Sequence, residues 1–133
     1  MNKQIIIQEA AKMLFEQGNT DIIDNFFSDT YTAHTGLKTY NGIAFIKQYI
    51  IQIRKVIPDI KILKIEFLSL SDNIVTWQRT FCGTHKAKIK GIPPTMKKVR
   101  WYEIVVTKFE DEKIIEEWLA SDFAFQLMLK RKK

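Results

Sequence analysis

The sequence predicts an α+β fold in which helices precede a mainly antiparallel sheet. Two different spacings of apolar residues along the chain predict this order. Residues 3–17 and 41–57 carry apolar side chains at helical spacing. From residue 61 onward the spacing becomes two, in segments rich in Ile, Val, Phe, Trp and Thr. Because the helices must bury their apolar stripes, we expect a curved sheet with the helices on one face.

The expected helices are bounded by residues that favour helix ends. Gly18 ends the first helix, and Asn19 or Thr20 caps a short second one. Pro58 ends the third, because a residue that precedes proline is pushed out of helical geometry. A fourth helix follows the strands. The expected helical ranges are 3–17, about 20–27, 41–57 and 123–130.

Four long strands make up the expected sheet. The turn sequences SDN at 71–73 and EDE at 110–112 join neighbouring strands. The segment YTAHTG, residues 31–36, is expected to be a short extended piece. The expected strand ranges are 61–70, 73–85, 97–109 and 113–121.

The composition fits a single domain over residues 1–133. The chain has 133 residues, of which 46% are hydrophobic, and this suffices for a core of ordinary size. No apolar stretch approaches the roughly 20 residues that span a bilayer, so no membrane partner is expected. Cys82 is the only cysteine and cannot form an internal disulfide, which favours a reducing, cytoplasmic location. We expect Cys82 to be a small buried hydrophobe rather than a nucleophile.

The positive charge of the chain does not mark a nucleic-acid site. The net charge of +6 comes from 21 basic and 15 acidic residues, and four of the basic ones form a frayed C-terminal tail at 130–133. The others are scattered, whereas a specific site needs them clustered on one face. Lys86, Lys88 and Lys90 alternate with small or apolar residues, as in a strand with one solvated face. We therefore expect a pocket rim with a basic edge and no specific nucleic-acid partner.

Four segments follow one another in an order typical of a known family. They are YTAHTG (31–36), IPDIKI (57–62), GTHKAKIKGIPPTMKKV (83–99) and DEKIIEEWLASD (111–122). Together they resemble the SnoaL-like polyketide cyclases, or ester cyclases, over roughly residues 28–128. The resemblance implies the cone-shaped fold of the nuclear-transport-factor-two superfamily, with N-terminal helices packed on the concave face of a strongly bent sheet around an apolar cavity. It also implies a homodimer that pairs through the exposed sheet face.

The resemblance further implies an intramolecular aldol condensation that closes a ring on a polyketide methyl ester, without a metal or organic cofactor. An aspartate removes the proton next to a carbonyl, and by motif this aspartate is Asp122. His34, His85 and Trp118 match pocket positions of the family pattern. We expect Asp122 and His34 to be catalytic and His85 and Trp118 to contact the substrate.

The position of Asp122 allows a structural role as well. Glu116, Trp118, Ala120 and Asp122 share one face of a strand, so Asp122 lies at the cavity wall if Trp118 does. Burial there would raise its pKa and make it a better base. Asp122 also directly precedes the last helix and could simply cap it. His34 either holds a substrate carbonyl or orients Asp122, or is a hydrogen-bonded histidine at a strand end.

Trp77 and Arg79 share one face of a strand that ends at His85. We expect Trp77 and Arg79 to line the substrate site. Arg79 either forms a structural ion pair with Glu103 or Glu116, or binds a carboxylate or ester oxygen. For His85, a place in the pocket and a place at its rim stay equally open.

Two histidines 51 positions apart, with no close ligand pair, predict no metal site. The first functional hypothesis, which the resemblance implies, is a cofactor-independent cyclase, isomerase or hydrolase that acts on a small apolar carbonyl or ester compound by acid/base catalysis. The alternative is a non-catalytic small-molecule-binding protein or a dimeric interaction protein on the same scaffold.

Overall fold

The computed structural model describes residues 2–131, which form four α-helices and one six-stranded sheet. The first helix continues into a π-helical turn, Lys12–Glu16, and a 3₁₀ turn, Thr20–Ile22, precedes the second. Of the predicted basic tail, Lys130 ends the last helix, whereas Lys132 and Lys133 lie outside the described residues. The helices are α1 (Lys3–Ala11), α2 (Ile23–Phe26), α3 (Ile43–Val56) and α4 (Phe123–Lys130).

The sheet is mixed but mainly antiparallel, as predicted. Its strand order is β2-β1-β6-β5-β4-β3, and only the β1–β6 pairing within it is parallel. The four long strands confirm the predicted ranges to within a residue, whereas the pairing of β2 with β1 was not foreseen. The strands are β1 (Phe27–Thr35), β2 (Lys38–Asn41), β3 (Lys61–Leu70), β4 (Ile74–Thr84), β5 (Lys98–Glu110) and β6 (Lys113–Ser121).

Side-chain caps and glycines bound the helices. The Asn2 side chain accepts hydrogen bonds from the backbone N–H groups of the first turn of α1. Asn19 accepts one from Asp21 at 3.2 Å, which confirms the predicted start of the second helical segment. Gly18 has a φ of 66°, a left-handed conformation that glycine adopts without strain. The predicted stop after the first helix is therefore present.

The core lies between the helices and one face of the sheet, which we call the inner face. Alternate residues of β4 and β5 point to this face and are buried. The buried residues of α1 and α3 pack against them. The innermost residues of β4 are Val75, Trp77, Arg79 and Phe81. No helix within residues 2–131 is long and apolar enough to cross a membrane.

An irregularity in β6 decides which of its residues face the core. Ile114 pairs with Phe109, but the next pair joins Glu116 to Lys108, so Ile115 is an extra residue. Because such a bulge shifts the alternation by one, Ile114 is buried and Glu117 also faces inward. The outer face therefore receives Glu116 and Trp118.

The β4–β5 connection is a hairpin-like loop, residues 85–97, that folds back onto the domain. His85 ties its two ends together, donating its N–H to Lys97 and accepting from the N–H of Met96. Near the tip, Ile89 and Ile92 exchange two backbone hydrogen bonds of 3.1 and 2.8 Å. The alternation predicted for the lysines is confirmed, since Lys86, Lys88 and Lys90 are exposed. This loop brings Lys90 to the cavity described next.

Candidate functional site

An apolar cavity of about 230 Å³ lies between α1, α3 and the inner face of the sheet. Aliphatic and aromatic side chains from the helices form most of its wall. A few polar side chains from the strands and from the 85–97 loop also reach it, a composition typical of small-molecule sites. The polar or ionisable residues of the wall used below are Tyr31, His34, Tyr49, Arg79, Lys90 and Glu117.

Glu117 is a half-buried carboxylate in this wall. Its Oε1 accepts a hydrogen bond from the Tyr31 hydroxyl at 2.8 Å, and its Oε2 accepts one from Thr107 at 2.6 Å. The Thr107 hydroxyl donates here, because an ionised carboxylate can only accept, and the same hydroxyl accepts from the indole N–H of Trp77 at 2.9 Å. The network thus fixes the carboxylate, and each of its oxygens retains a lone pair.

Burial dominates the electrostatics of Glu117. Removal from water raises the pKa of its carboxyl, and the hydrogen bond from Thr107, the charge of Arg79 and the bond from Tyr31 offset only part of that rise. Burial likewise raises the pKa of Tyr31, as does the neighbouring Glu117 carboxylate. Tyr31 is therefore a neutral hydrogen-bond donor, and Glu117 is a carboxylate whose basicity its surroundings increase.

Arg79 and Glu103 form a buried ion pair beside Glu117. The Nε and Nη2 atoms of Arg79 lie 2.8 and 2.6 Å from Oε1 of Glu103. Burial lowers the pKa of the Arg79 guanidinium, but Glu103, Tyr49 and Glu117 together more than compensate, so the net shift is upward. Ser121 donates to the second oxygen of Glu103 at 3.0 Å. The ion pair predicted between Arg79 and Glu103 is therefore present.

Aromatic rings surround the Arg79 guanidinium. Its central carbon lies 4.7 Å from the ring centre of Phe15 and 5.3 Å from those of Trp77 and Phe81. Such rings stabilise a desolvated cation. The two predicted binding residues Trp77 and Arg79 thus both line the cavity, and both are held there by contacts within the protein.

Asp122 lies outside the lining of the cavity. Its Oδ1 accepts from the backbone N–H of Tyr102 at 3.0 Å, and its Oδ2 accepts from the Gln126 amide at 3.0 Å. The Asp122 side chain does not form the helix-capping hydrogen bond that was considered from the sequence. The Ser121 hydroxyl accepts the N–H of Phe123 instead. The carboxylate of Asp122 joins β5 to α4, and its catalytic role stays a prediction.

His34 and Trp118 come together at the β1–β6 junction. Their rings stack at a centroid distance of 5.0 Å, and Nε2 of His34 lies 2.6 Å from Oε2 of Glu116. His34 is among the residues that line the cavity, whereas Trp118 is 39% exposed and is not. Their proposed contacts with a substrate stay predictions.

His85 is fully buried beneath the loop that it anchors. Its Nδ1 accepts from the backbone N–H of Thr95 at 3.2 Å, so the neutral ring carries its proton on Nε2. His85 is not among the residues that line the cavity, and its contact with a substrate stays a prediction.

The sequence did not single out Glu117 and Tyr31, although it contained a signal for Glu117. Two adjacent glutamates, Glu116 and Glu117, stand in an otherwise apolar strand. Because neighbouring side chains of a strand point to opposite faces, one of them must face the core. A glutamate directed at a core calls for a functional or ion-pair explanation.

Across residues 2–131, no three His, Cys, Asp or Glu side chains lie close enough together to hold a metal ion. Carboxylates of the cavity region are bonded instead to arginine, serine, threonine and tyrosine. The described cavity side chains can transfer protons and form hydrogen bonds.

The sequence of residues 5–128 matches the profile of the family described as SnoaL-like polyketide cyclase. The chain belongs to this family. The match runs from α1 to α4 and leaves out only the first two residues of α1 and the last two of α4. It includes all the cavity residues named above. No curated protein shows significant sequence similarity to this family member.

Solved structures of SnoaL-like proteins share the fold. A candidate polyketide cyclase from Acidithiobacillus ferrooxidans superposes with a TM-score of 0.83 at 20% identity, covering 98% of this chain and 94% of the other. IdmH, a candidate polyketide cyclase from Streptomyces antibioticus, gives 0.81 at 15% identity and covers 100% of both chains. A SnoaL-like polyketide cyclase from Agrobacterium tumefaciens gives 0.79 at 21% identity, covering 97% and 98%. At such low identity the likeness establishes the nuclear-transport-factor-two-like fold and no shared substrate.

Proposed function

We propose that this SnoaL-like chain is a cofactor-independent cyclase, isomerase or hydrolase that acts on a small apolar carbonyl or ester compound by general acid/base catalysis. The observation that carries the proposal is Glu117, a half-buried carboxylate at the wall of an apolar cavity, whose pKa is raised by its removal from water. A titratable group perturbed by burial inside a cavity is typical of a catalytic acid or base.

In the proposed reaction, Glu117 accepts a proton from the carbon next to the substrate carbonyl. The electrons of the broken C–H bond move to the carbonyl oxygen and form an enolate. The network from Trp77 through Thr107 keeps the carboxylate in place, so little reorganisation accompanies the transfer. Arg79 contributes a positive charge at the same end of the cavity, where negative charge develops.

The residues predicted from the family pattern enter as further proposals. His34, a residue of the cavity wall, is proposed as a second acid/base group, which requires its ring to turn from Trp118 and Glu116 towards the cavity. Asp122 is proposed as an alternative base, which requires its bonds to Tyr102 and Gln126 to open. Because those bonds hold it away from the cavity wall, Glu117 is the better supported candidate.

Proton abstraction can be tested without the natural substrate. The probe is 2-tetralone, an apolar bicyclic ketone whose α-protons exchange with D₂O and are followed by NMR. We expect the protein to accelerate the exchange and Glu117→Gln to lower the rate about a hundred-fold, the typical contribution of a general base. Asp122→Asn serves as the matched variant and should retain most of the rate.

The outcomes separate the assignments. Loss of exchange in Asp122→Asn alone would transfer the base role to Asp122. Exchange no faster than in a carboxylate buffer, together with tight binding of the ketone, would favour the alternative of a non-catalytic small-molecule-binding protein.

The remaining proposals concern the molecule's setting. We propose a homodimer that pairs through the outer sheet face, and a cytoplasmic location, which the free thiol of Cys82 supports. We also propose that the sheet is strongly bent around the helices. The register shifts in β3 and β5–β6 support this, since bulges bend the strands that contain them.

A further inference from the structure

The wall of the cavity contains one positive charge that no described carboxylate balances. Lys90, at the tip of the 85–97 loop, is exposed and also lines the cavity. The other permanent cation of the wall, Arg79, is paired with Glu103 at 2.6 Å. Among residues 2–131, Lys90 forms no ion pair. A cation that borders an apolar cavity attracts an anionic group of the ligand.

The backbone at Lys90 is unfavourable for a lysine. Lys90 and Gly91 have φ angles of 50° and 77°, and they form the two central residues of the turn between Ile89 and Ile92. Two such left-handed residues make a type I′ turn, for which Asn-Gly is the preferred pair. Departures of this kind are retained where a side chain has a function. The turn therefore places Lys90 at the cavity in place of the residue that would best stabilise the turn.

We propose that Lys90 selects ligands that bear a carboxylate at one end of an apolar, carbonyl-containing body. The body occupies the cavity, and the carboxylate stays beside the Lys90 ammonium at the exposed side of the wall. This inference rests on the proposed function, because it concerns the same cavity, and it narrows the substrate class to apolar oxo acids and their half-esters.

The deep end of the cavity is a poor place for that carboxylate. Glu103 already takes the Nε and Nη2 atoms of Arg79. Glu117 is close enough for its pKa to feel the charge of Arg79, so a ligand carboxylate there would meet two acidic side chains. Lys90, the other cation of the wall, forms no ion pair with an acidic side chain among residues 2–131.

Two probes of nearly the same shape test the inference by calorimetry. They are 2-naphthoate, which is anionic, and 2-acetylnaphthalene, which is neutral. We expect the protein to prefer 2-naphthoate, and Lys90→Asn to weaken its binding about five-fold, the size of one partly exposed charge pair. Binding of 2-acetylnaphthalene should not change. The melting temperature of Lys90→Asn should be equal or higher, because Asn-Gly suits the turn.

Lys88→Asn is the matched control, since Lys88 is exposed on the same loop but does not line the cavity. It should leave both affinities unchanged. Equal affinities of Lys90→Asn and the unaltered protein for 2-naphthoate would overturn the inference, as would an equal loss for both probes. A protein that binds neither probe would overturn the ligand cavity and this inference together. If the protein prefers 2-naphthoate but does not accelerate the exchange of 2-tetralone, only the proposed catalysis is overturned.

Discussion

At the scale of single residues, Glu117 links the proposed chemistry to the stability of the protein. Its pKa in the folded protein lies above the ordinary 4.5 because the carboxyl is buried. The folded state therefore binds a proton more readily than the unfolded chain does. The contribution of Glu117 to stability is fully present below pH 4.5 and is lost as the pH rises through the raised pKa.

This linkage predicts that Glu117→Gln, the variant expected to slow proton transfer, stabilises the protein at neutral pH. The amide carries no charge to bury, so the difference in melting temperature between variant and parent should grow as the pH rises from 4.5 to the raised pKa and then level off. Thermal unfolding at several pH values measures it.

Glu110→Gln provides the control, because Glu110 is exposed at the end of β5. Its melting-temperature difference from the parent should stay nearly constant over the same range. A variant at Glu117 that is less stable at pH 7 than at pH 4.5, relative to the parent, would show that the carboxylate contributes to folding rather than to chemistry.

At the scale of secondary-structure elements, the contact between β4 and the end of α3 depends on Gly83. A Cβ atom built on Gly83 would lie 2.1 Å from Cγ2 of Ile57. Ile57 is completely buried, so it has little room to move. Gly83 has no positive φ, so the requirement for glycine at this position is purely one of space.

We expect Gly83→Ala to lower the free energy of unfolding by roughly 1–3 kcal/mol, the usual cost of overpacking a core. Ile57→Ala removes the clashing methyl group, so the cost of Gly83→Ala should shrink in the double variant. Urea unfolding of the four proteins gives the coupling energy. Gly36→Ala is the contrasting variant. The φ of 62° strains an alanine at this position although no atom lies within 4 Å of its Cβ, so Ile57→Ala should not restore the lost stability.

Most elements could be predicted from the sequence because their signals are local. Helix ends depend on Asn19 and Gly18, and the long strands on period-two patterns. The site could be predicted only in part, because the orientation of β6 depends on the bulge at Ile115. A bulge is a property of pairing with β5, and it moved Glu117 inward and Trp118 outward. Trp77 and Arg79 could be assigned to the inner face because β4 alternates without interruption.

At the scale of the whole molecule, the outer sheet face is the surface that a second copy would cover. Trp118 and Tyr102 are 39% and 46% exposed there, and Ile104 and Val106 lie half-buried between them. Val106 pairs with Trp118 across β5 and β6, so these side chains are contiguous. Contiguous exposed apolar side chains of this kind mark protein–protein contacts.

The proposed homodimer predicts a solution mass of twice 15.7 kDa at micromolar concentration. Trp118→Glu should shift the protein to the monomer, because it would bury a charge at the centre of the interface. Light scattering coupled to size-exclusion chromatography measures both. Leu37→Glu is the control: Leu37 is fully exposed in the β1–β2 turn, and the charge there should leave the mass unchanged. A monomeric parent protein would contradict the dimer. It would leave the cavity proposals intact, because every residue they use belongs to one chain.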